Sequence, residues 1–174
     1  MKPNILAISG SLIPNSSNNK LLSYLKEEFT NEANIILSQS LDSLPHFNPT
    51  LDKGELPESI MNFRKAIASA DAILISTPEY VFSMPAVLKN ALEWCVSTGV
   101  FTNKSVGIIV GAASGQKAME QLVLVLSTIQ CKLSAETQLV ISGIKGKVNP
   151  AMSGELQKEL DVFMDAFLLQ IEHG

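Results

Sequence analysis

The chain has little that would mark a metal site, a disulfide scaffold, a membrane span or a nucleic-acid surface. Its two cysteines, Cys95 and Cys131, stand in apolar helical surroundings without a C-x-x-C or any Cys/His ligand spacing, which reads as two buried free thiols and no metal. The two histidines, His46 and His173, lie far from any motif and read as a solvated loop and a solvated terminus. No apolar run approaches the roughly 20 residues that span a bilayer. Met1-Lys2 runs at once into a strand-like segment, with no basic n-region and apolar h-region, so the expectation is a cytoplasmic protein without membrane contact. A net charge of -4 offers no basic stripe for nucleic acid and is modest for docking onto basic redox partners. The familiar phosphate loops are missing too: neither G-x-x-x-x-G-K-[ST] nor G-x-G-x-x-G occurs at the first turn, which disfavours a nucleoside triphosphate or a Rossmann-type pyrophosphate.

What the chain does have is a regular alternation. At 174 residues with 46% apolar content, it reads as one domain, 1–174, with a single sizeable core. Apolar runs at Ile5 to Ile8, Ile35 to Leu37, Ala72 to Ile75 and Val106 to Val110, and a weaker one at Leu139 to Ile141, are separated by helical patterns at i, i+3, i+4 spacing. A last helix carries Leu156, Leu160, Phe163, Met164, Phe167, Leu168 and Ile171, with Ser153 and Glu155 as start signals. Strands apolar on both faces, each followed by a helix, imply a parallel sheet covered on both sides. Right-handed crossovers and five strands then favour an α/β three-layer sandwich with sheet order 2-1-3-4-5 and ligands beyond the strand C-termini.

That rule nominates three loops. The first, Ser9 to Asn18, brings four Ser and three Asn between positions 9 and 19 to a helix start, where orphan N–H groups and the helix dipole favour an anion. It reads as a seat for one terminal phosphate, with plain helix capping as the alternative. The loop itself holds no Lys or Arg before Lys20, so its donors are neutral. The second, Thr77 to Pro85, sets Tyr80 and Phe82 between two prolines and reads as a platform for a flat ring or as a well-packed loop. The third, Gly111 to Lys117, contains a Ser114-Gly115 turn. The long connection Ser38 to Pro57 reads equally as a functional loop or a surface linker.

Gly10, Ser11, Ser16, Asn18 and Leu21 follow the pattern G-S-x-R-x-x-S-x-N-x-x-L. Pro78, Glu79, Tyr80, Ser83, Pro85, Leu88, Lys89, Asn90, Ala91, Glu93 and Trp94 follow P-E-Y-N-x-S-x-P-G-x-L-K-N-A-x-[DE]-W. With Leu44-Pro45, Ala70-Asp71-Ala72 and the Ser114-Gly115 turn, the chain over about positions 4 to 130 resembles the NADPH-dependent FMN reductase family, the flavodoxin-like quinone, azo and chromate reductases. The resemblance implies a flavodoxin-like fold and FMN as cofactor, with NAD(P)H as co-substrate. It carries the phosphate to Ser11, Ser16 and Asn18, and the isoalloxazine to Pro78, Glu79, Tyr80 and Val81. The third loop, with Ser114, Gly115 and Gln116, would face the pyrimidine edge of the ring, where a helix start can stabilise negative charge. Three positions depart from the pattern: Ile13 replaces Arg, Val81 replaces Asn and Ala86 replaces Gly. Loss of the guanidinium removes a charge-assisted phosphate contact.

The resulting expectation is an FMN-dependent NAD(P)H oxidoreductase that reduces small flat acceptors, such as a quinone, an azo compound or free flavin, by ping-pong hydride transfer. No side-chain acid or base is then required, because the flavin does the chemistry. Tyr80 and Phe82 would meet the substrate. Glu79 reads either as a general acid or as a carboxylate bonded to backbone. A flavodoxin-like electron carrier and a flavin-less interaction scaffold stand as rival readings. The apolar run Leu122-Val123-Leu124-Val125-Leu126, together with Trp94 at the end of its helix, suggests a homodimer.

Overall fold

The computed structural model describes residues 1–173, and in it five parallel strands alternate with helices. The order along the chain is β1 (Asn4–Ser9), α1 (Ser17–Glu28), β2 (Asn34–Leu37), α2 (Pro49–Asp52), α3 (Glu58–Ser69), β3 (Ala72–Thr77), α4 (Ala86–Glu93), β4 (Ser105–Ala112), α5 (Gln116–Thr128), β5 (Gln138–Ser142), α6 (Ile144–Val148) and α7 (Gly154–His173). The sheet runs β2-β1-β3-β4-β5, the expected flavodoxin-like order. Every residue of β3 and β4 is buried, because both faces of the central strands are covered. One face packs on α3, α4 and α5 through Ile60, Phe63, Leu88, Leu92 and Leu122; the other packs on α1, α6 and α7 through Leu21, Leu25, Ile144, Phe163 and Phe167.

The register sets the strand ends. Ser9 pairs with Ser76, Thr77 with Val110, and Ala112 with Ser142, so the loops after β1, β3, β4 and β5 emerge along one edge. The strand order reverses between β1 and β3, with β2 laid down on one side and β4 and β5 on the other, and this is the switch point where a ligand crevice forms.

The long connection between β2 and α3 is a fastened linker. Asn90 of α4 accepts from Phe47 N–H (2.7 Å) and donates to Pro45 C=O (3.0 Å), and Trp94 Nε1–H donates to the same carbonyl (2.8 Å). Phe47 packs edge-on against the Trp94 ring at 5.1 Å. Arg64, the chain's one arginine, joins Asp52 to the Trp94 carbonyl and lies over the Trp94 ring. Hydrogen bonding to that guanidinium holds the Asp52 carboxyl below the usual carboxylate range. Trp94 is therefore fully buried, and it drops out of the surface argument for a dimer. In the apolar run of α5, Leu122 and Leu126 are buried and Leu124 alone is fully turned outward, at 68% exposure. Cys95 is buried and Cys131 half-buried, just beyond the end of α5 and not within a helix; burial pushes both thiols up to about 12.

Candidate functional site

The first loop begins with a close approach. Gly10 N–H donates to Ser76 C=O (2.8 Å), and a Cβ on Gly10 would come within 2.1 Å of Thr77 Oγ1, so only glycine lets β1 and β3 lie this close at the switch point. Ser16 caps α1: its hydroxyl accepts from Asn19 N–H at 3.2 Å. Ser11 Oγ accepts from Ile13 N–H at 3.3 Å. Each hydroxyl keeps its own proton to donate, and the first-turn N–H groups of Ser17 and Asn18 have no intrahelical acceptor. The capping and phosphate readings are thus compatible, since the same serines serve both.

The asparagines are a different matter. Asn18 is 3% exposed. Its Nδ2 donates to Gly111 C=O (3.0 Å), while its Oδ1 accepts from Gly111 N–H (3.3 Å) and from Ser76 Oγ (3.0 Å). β3 ends at Thr77 opposite Val110, so Gly111 has no strand residue to bond on that side, and the Asn18 amide completes the ladder in its place. Its side chain is a pin between α1, β3 and β4, which leaves its main-chain N–H, in the first turn of α1, as the group Asn18 has to offer an anion. Asn19 is likewise used inside the loop, accepting from Ser9 Oγ and donating to Ile13 C=O. Asn15 takes a left-handed turn conformation at φ 57°. Lys20 reaches away to Asn149 Oδ1 (2.6 Å) and Val148 C=O. With Arg64 committed at Trp94, an anion in this loop meets neutral donors.

The second loop makes a two-residue turn. Tyr80 N–H donates to Ser83 C=O (2.9 Å) and Ser83 N–H to Tyr80 C=O (3.0 Å), with φ of 52° at Val81 and 54° at Phe82. Two successive left-handed residues define the turn type that prefers Asn and Gly. Val81 is β-branched, and left-handed backbone costs an ordinary residue about 1–2 kcal/mol. That explains why Asn at this position suits the pattern better than Val. Neither residue is compensated by burial: Val81 is 96% and Phe82 72% exposed, with Tyr80 at 49%.

Loops two and three are joined by Glu79. Its carboxylate accepts from Gly115 N–H (3.2 Å) and Ala118 N–H (2.9 Å), capping α5. Gly115 sits at φ 98°, and a Cβ there would meet Val140 Cγ1 at 2.9 Å, so this turn also requires glycine. Glu79 is therefore the backbone-bonded carboxylate of the two readings, and it supplies negative charge at the very helix start expected to stabilise a reduced ring. The first-turn N–H groups of Gln116 and Lys117 remain as its donors. Ser114 and Gln116 are exposed. A fourth loop, not anticipated from the sequence, braces the third: Ser142 Oγ donates to Ser114 C=O (2.8 Å) and Gly143 N–H to Ala113 C=O (3.2 Å).

A cleft of about 320 Å³ opens on the β2 side of the first loop; it shares Ser11 with the first-loop donors and is otherwise lined by Asn15, Asn19, Ser38 and Leu41 among others. It lies off the β1/β3 switch point, and several of its polar groups are bonded to one another or to loop backbone, so the three-loop shelf is the better candidate. The donor set there, with hydroxyls and N–H groups at α1 and a rigid exposed turn beside the α5 start, fits a phosphate at one end and a flat ring at the other.

Among solved structures, the flavoenzyme NAD(P)H:(acceptor) oxidoreductase FerB from Paracoccus denitrificans superposes with a TM-score of 0.80 at 24% identity, covering 98% of both chains. A 2-hydroxy-1,4-benzoquinone reductase from Burkholderia sp is 32% identical over 136 residues, 73% of this chain and 74% of that protein. The NADH:(hydroxy)cinnamate reductase subunit CrdA from Vibrio ruber is 39% identical over 113 residues, 64% of this chain; the match spans about half of that relative's length, 54%. The sequence model of NADPH-dependent FMN reductases matches residues 3–146, which takes in β1 through β5 and the four sheet-edge loops up to the start of α6, and the chain belongs to that family.

Proposed function

We propose that this protein is an FMN-dependent NAD(P)H oxidoreductase that reduces small flat acceptors, a quinone or similar compound, by a ping-pong mechanism. The observation that carries the reading is the Tyr80–Ser83 turn, strained, exposed and bolted beside the α5 start at the switch point of the sheet. Strained backbone that persists without burial is characteristic of ligand sites. FMN, when bound, would accept hydride from reduced nicotinamide and pass the electrons to the acceptor.

Everything else falls to the chain's own groups. Ser11 and Ser16 hydroxyls, with Ser17 and Asn18 N–H, would hold the phosphate. Main chain of Pro78 to Val81 would flank the ring, and Gln116 and Lys117 N–H would face its pyrimidine edge. Tyr80 and Phe82 would orient donor and acceptor in turn on one open face. Cytoplasmic location is part of the proposal, supported by two free thiols, which suit a reducing compartment. Among the described residues no helix is long and apolar enough to cross a membrane.

A homodimer is also proposed. Gln121 bonds the turn, and Leu124 lies one helical turn further along α5 on the same side, so exposed Val81, Phe82 and Leu124 form one apolar neighbourhood. A light-scattering mass near 18.8 kDa at micromolar concentration would reject the dimer. For the activity, initial rates with varied NAD(P)H and quinone should give parallel double-reciprocal lines. Absence of turnover with FMN supplied would reject it.

A further inference from the structure

The turn from Tyr80 to Ser83 raises a question of what holds it. Val81 and Phe82 both sit at left-handed φ, neither is Gly or Asn, and with 96% and 72% of their surface exposed neither is fixed by packing. Such a conformation lasts only where neighbouring structure over-determines it. Two side chains do so here, and both bind the turn to α5. Glu79, just before it, accepts from Gly115 and Ala118 N–H. Gln121, three residues beyond Ala118 on the same helix, grips the other end: Ser83 Oγ donates to its Oε1 at 2.5 Å, and its Nε2 donates to Phe82 C=O at 3.3 Å. The first two turns of α5 are thus a jig with two fixing points, the Gly115–Ala118 N–H groups and Gln121, spaced to match the ends of the strained segment.

We propose that Gln121 is a positioning residue of the cofactor site, holding Val81 and Phe82 left-handed so that the Tyr80–Phe82 main chain is presented to the flavin ring; this rests on the FMN reading above. Gln121 belongs to none of the motifs that mark the site. It is itself exposed, so its removal opens no cavity. Its one amide satisfies a carbonyl within the strained pair and a hydroxyl at the turn's end, which is the pairing needed to stop the peptide after Phe82 from rotating. Asn at position 81 relieves one of the two left-handed residues; with Val81 both depend on the external clamp. Gln121 and Val81 are therefore coupled: the clamp matters because of the valine.

The test uses Gln121→Met, which keeps length and helix preference and loses both hydrogen bonds, and Val81→Asn, alone and together. Backbone chemical shifts of residues 81 and 82 in flavin-free protein report the turn, and quenching of FMN fluorescence reports affinity. Gln121→Met should move those shifts away from left-handed values and raise the FMN Kd roughly tenfold, with the thermal midpoint of flavin-free protein little changed. Gln121→Glu should recover part of the loss, since a carboxylate accepts from Ser83 Oγ but gives Phe82 C=O no donor. In the Val81→Asn background, Gln121→Met should change the Kd by less than about twofold. Unmoved shifts in Gln121→Met overturn the clamp whatever flavin does. Equal losses of affinity in both backgrounds overturn the coupling. Wild-type protein that takes up no FMN while the shifts still respond overturns the cofactor reading, and with it the role assigned to the clamp.

Discussion

Ile13→Arg is the perturbation that most directly weighs the electrostatics of the phosphate loop. Ile13 is 59% exposed, so an arginine there removes nothing from the core. The loop backbone around it is already tied: Ile13 N–H donates to Ser11 Oγ, and its carbonyl accepts from Ser16 N–H (3.2 Å) and Asn19 Nδ2 (3.1 Å). The substitution thus adds a guanidinium to a fixed ring of neutral donors. A hydrogen bond between charged groups contributes about 1.5–3 kcal/mol, and solvent screening together with the ordering of a long side chain lowers the yield at an exposed site. The expected gain in FMN affinity is tenfold to at most about a hundredfold. Wild-type affinity should vary weakly with salt, whereas the variant's should fall as salt rises. Fluorescence-quenching titrations with FMN and with riboflavin, each at low and high salt, separate the phosphate from the ring. Unchanged FMN affinity, or an equal gain for riboflavin, would refute the argument.

Other expectations follow from the same contacts. Asn18→Leu leaves Gly111 N–H and C=O without their partner in the core, the Ser76 hydroxyl keeping only the main-chain carbonyl of residue 18 (3.3 Å), and should cost about 3 kcal/mol, read as a lower urea midpoint at unchanged slope. Because the folded-state pKa of Asp52 lies below its ordinary value, the Arg64 pair contributes fully above pH about 4 and loses that contribution as pH falls through the depressed value. Wild-type stability should accordingly drop more than that of Asp52→Asn between pH 7 and pH 3. The thiols of Cys95 and Cys131, pushed up to about 12, should resist a thiol reagent at mildly alkaline pH while native and react fully once unfolded.

Much of this architecture is legible in the residues. The apolar runs name all five strands, and their spacing with right-handed crossovers leaves the observed sheet order. Gly10, Ser11 and Ser16 announce a loop of donors at the switch point. What the residue pattern overstates is the number of free ligand groups, because an amide that completes a strand ladder, such as Asn18, looks the same in sequence as one that faces solvent. Glu79 presents the same difficulty: its partners, Gly115 and Ala118, come from the start of α5, far along the chain. Asn90 and Trp94 fall within the family pattern yet serve the Pro45–Phe47 linker. Gln121 carries no local signal, being one polar residue on an exposed helix face. The hint of its role is indirect, a tight turn spelled Tyr-Val-Phe-Ser without a glycine or asparagine to support it.

Anaerobic mixing of the FMN-loaded protein, first with NADH and separately with NADPH, tests the central claim most directly. The account predicts that at least one nicotinamide bleaches the flavin absorbance within seconds, that a small quinone then restores it without further nicotinamide, and that Tyr80→Ala slows the first step more than it weakens FMN binding. Flavin that stays oxidised for minutes under excess of both nicotinamides would contradict the account and leave the fold to an electron carrier.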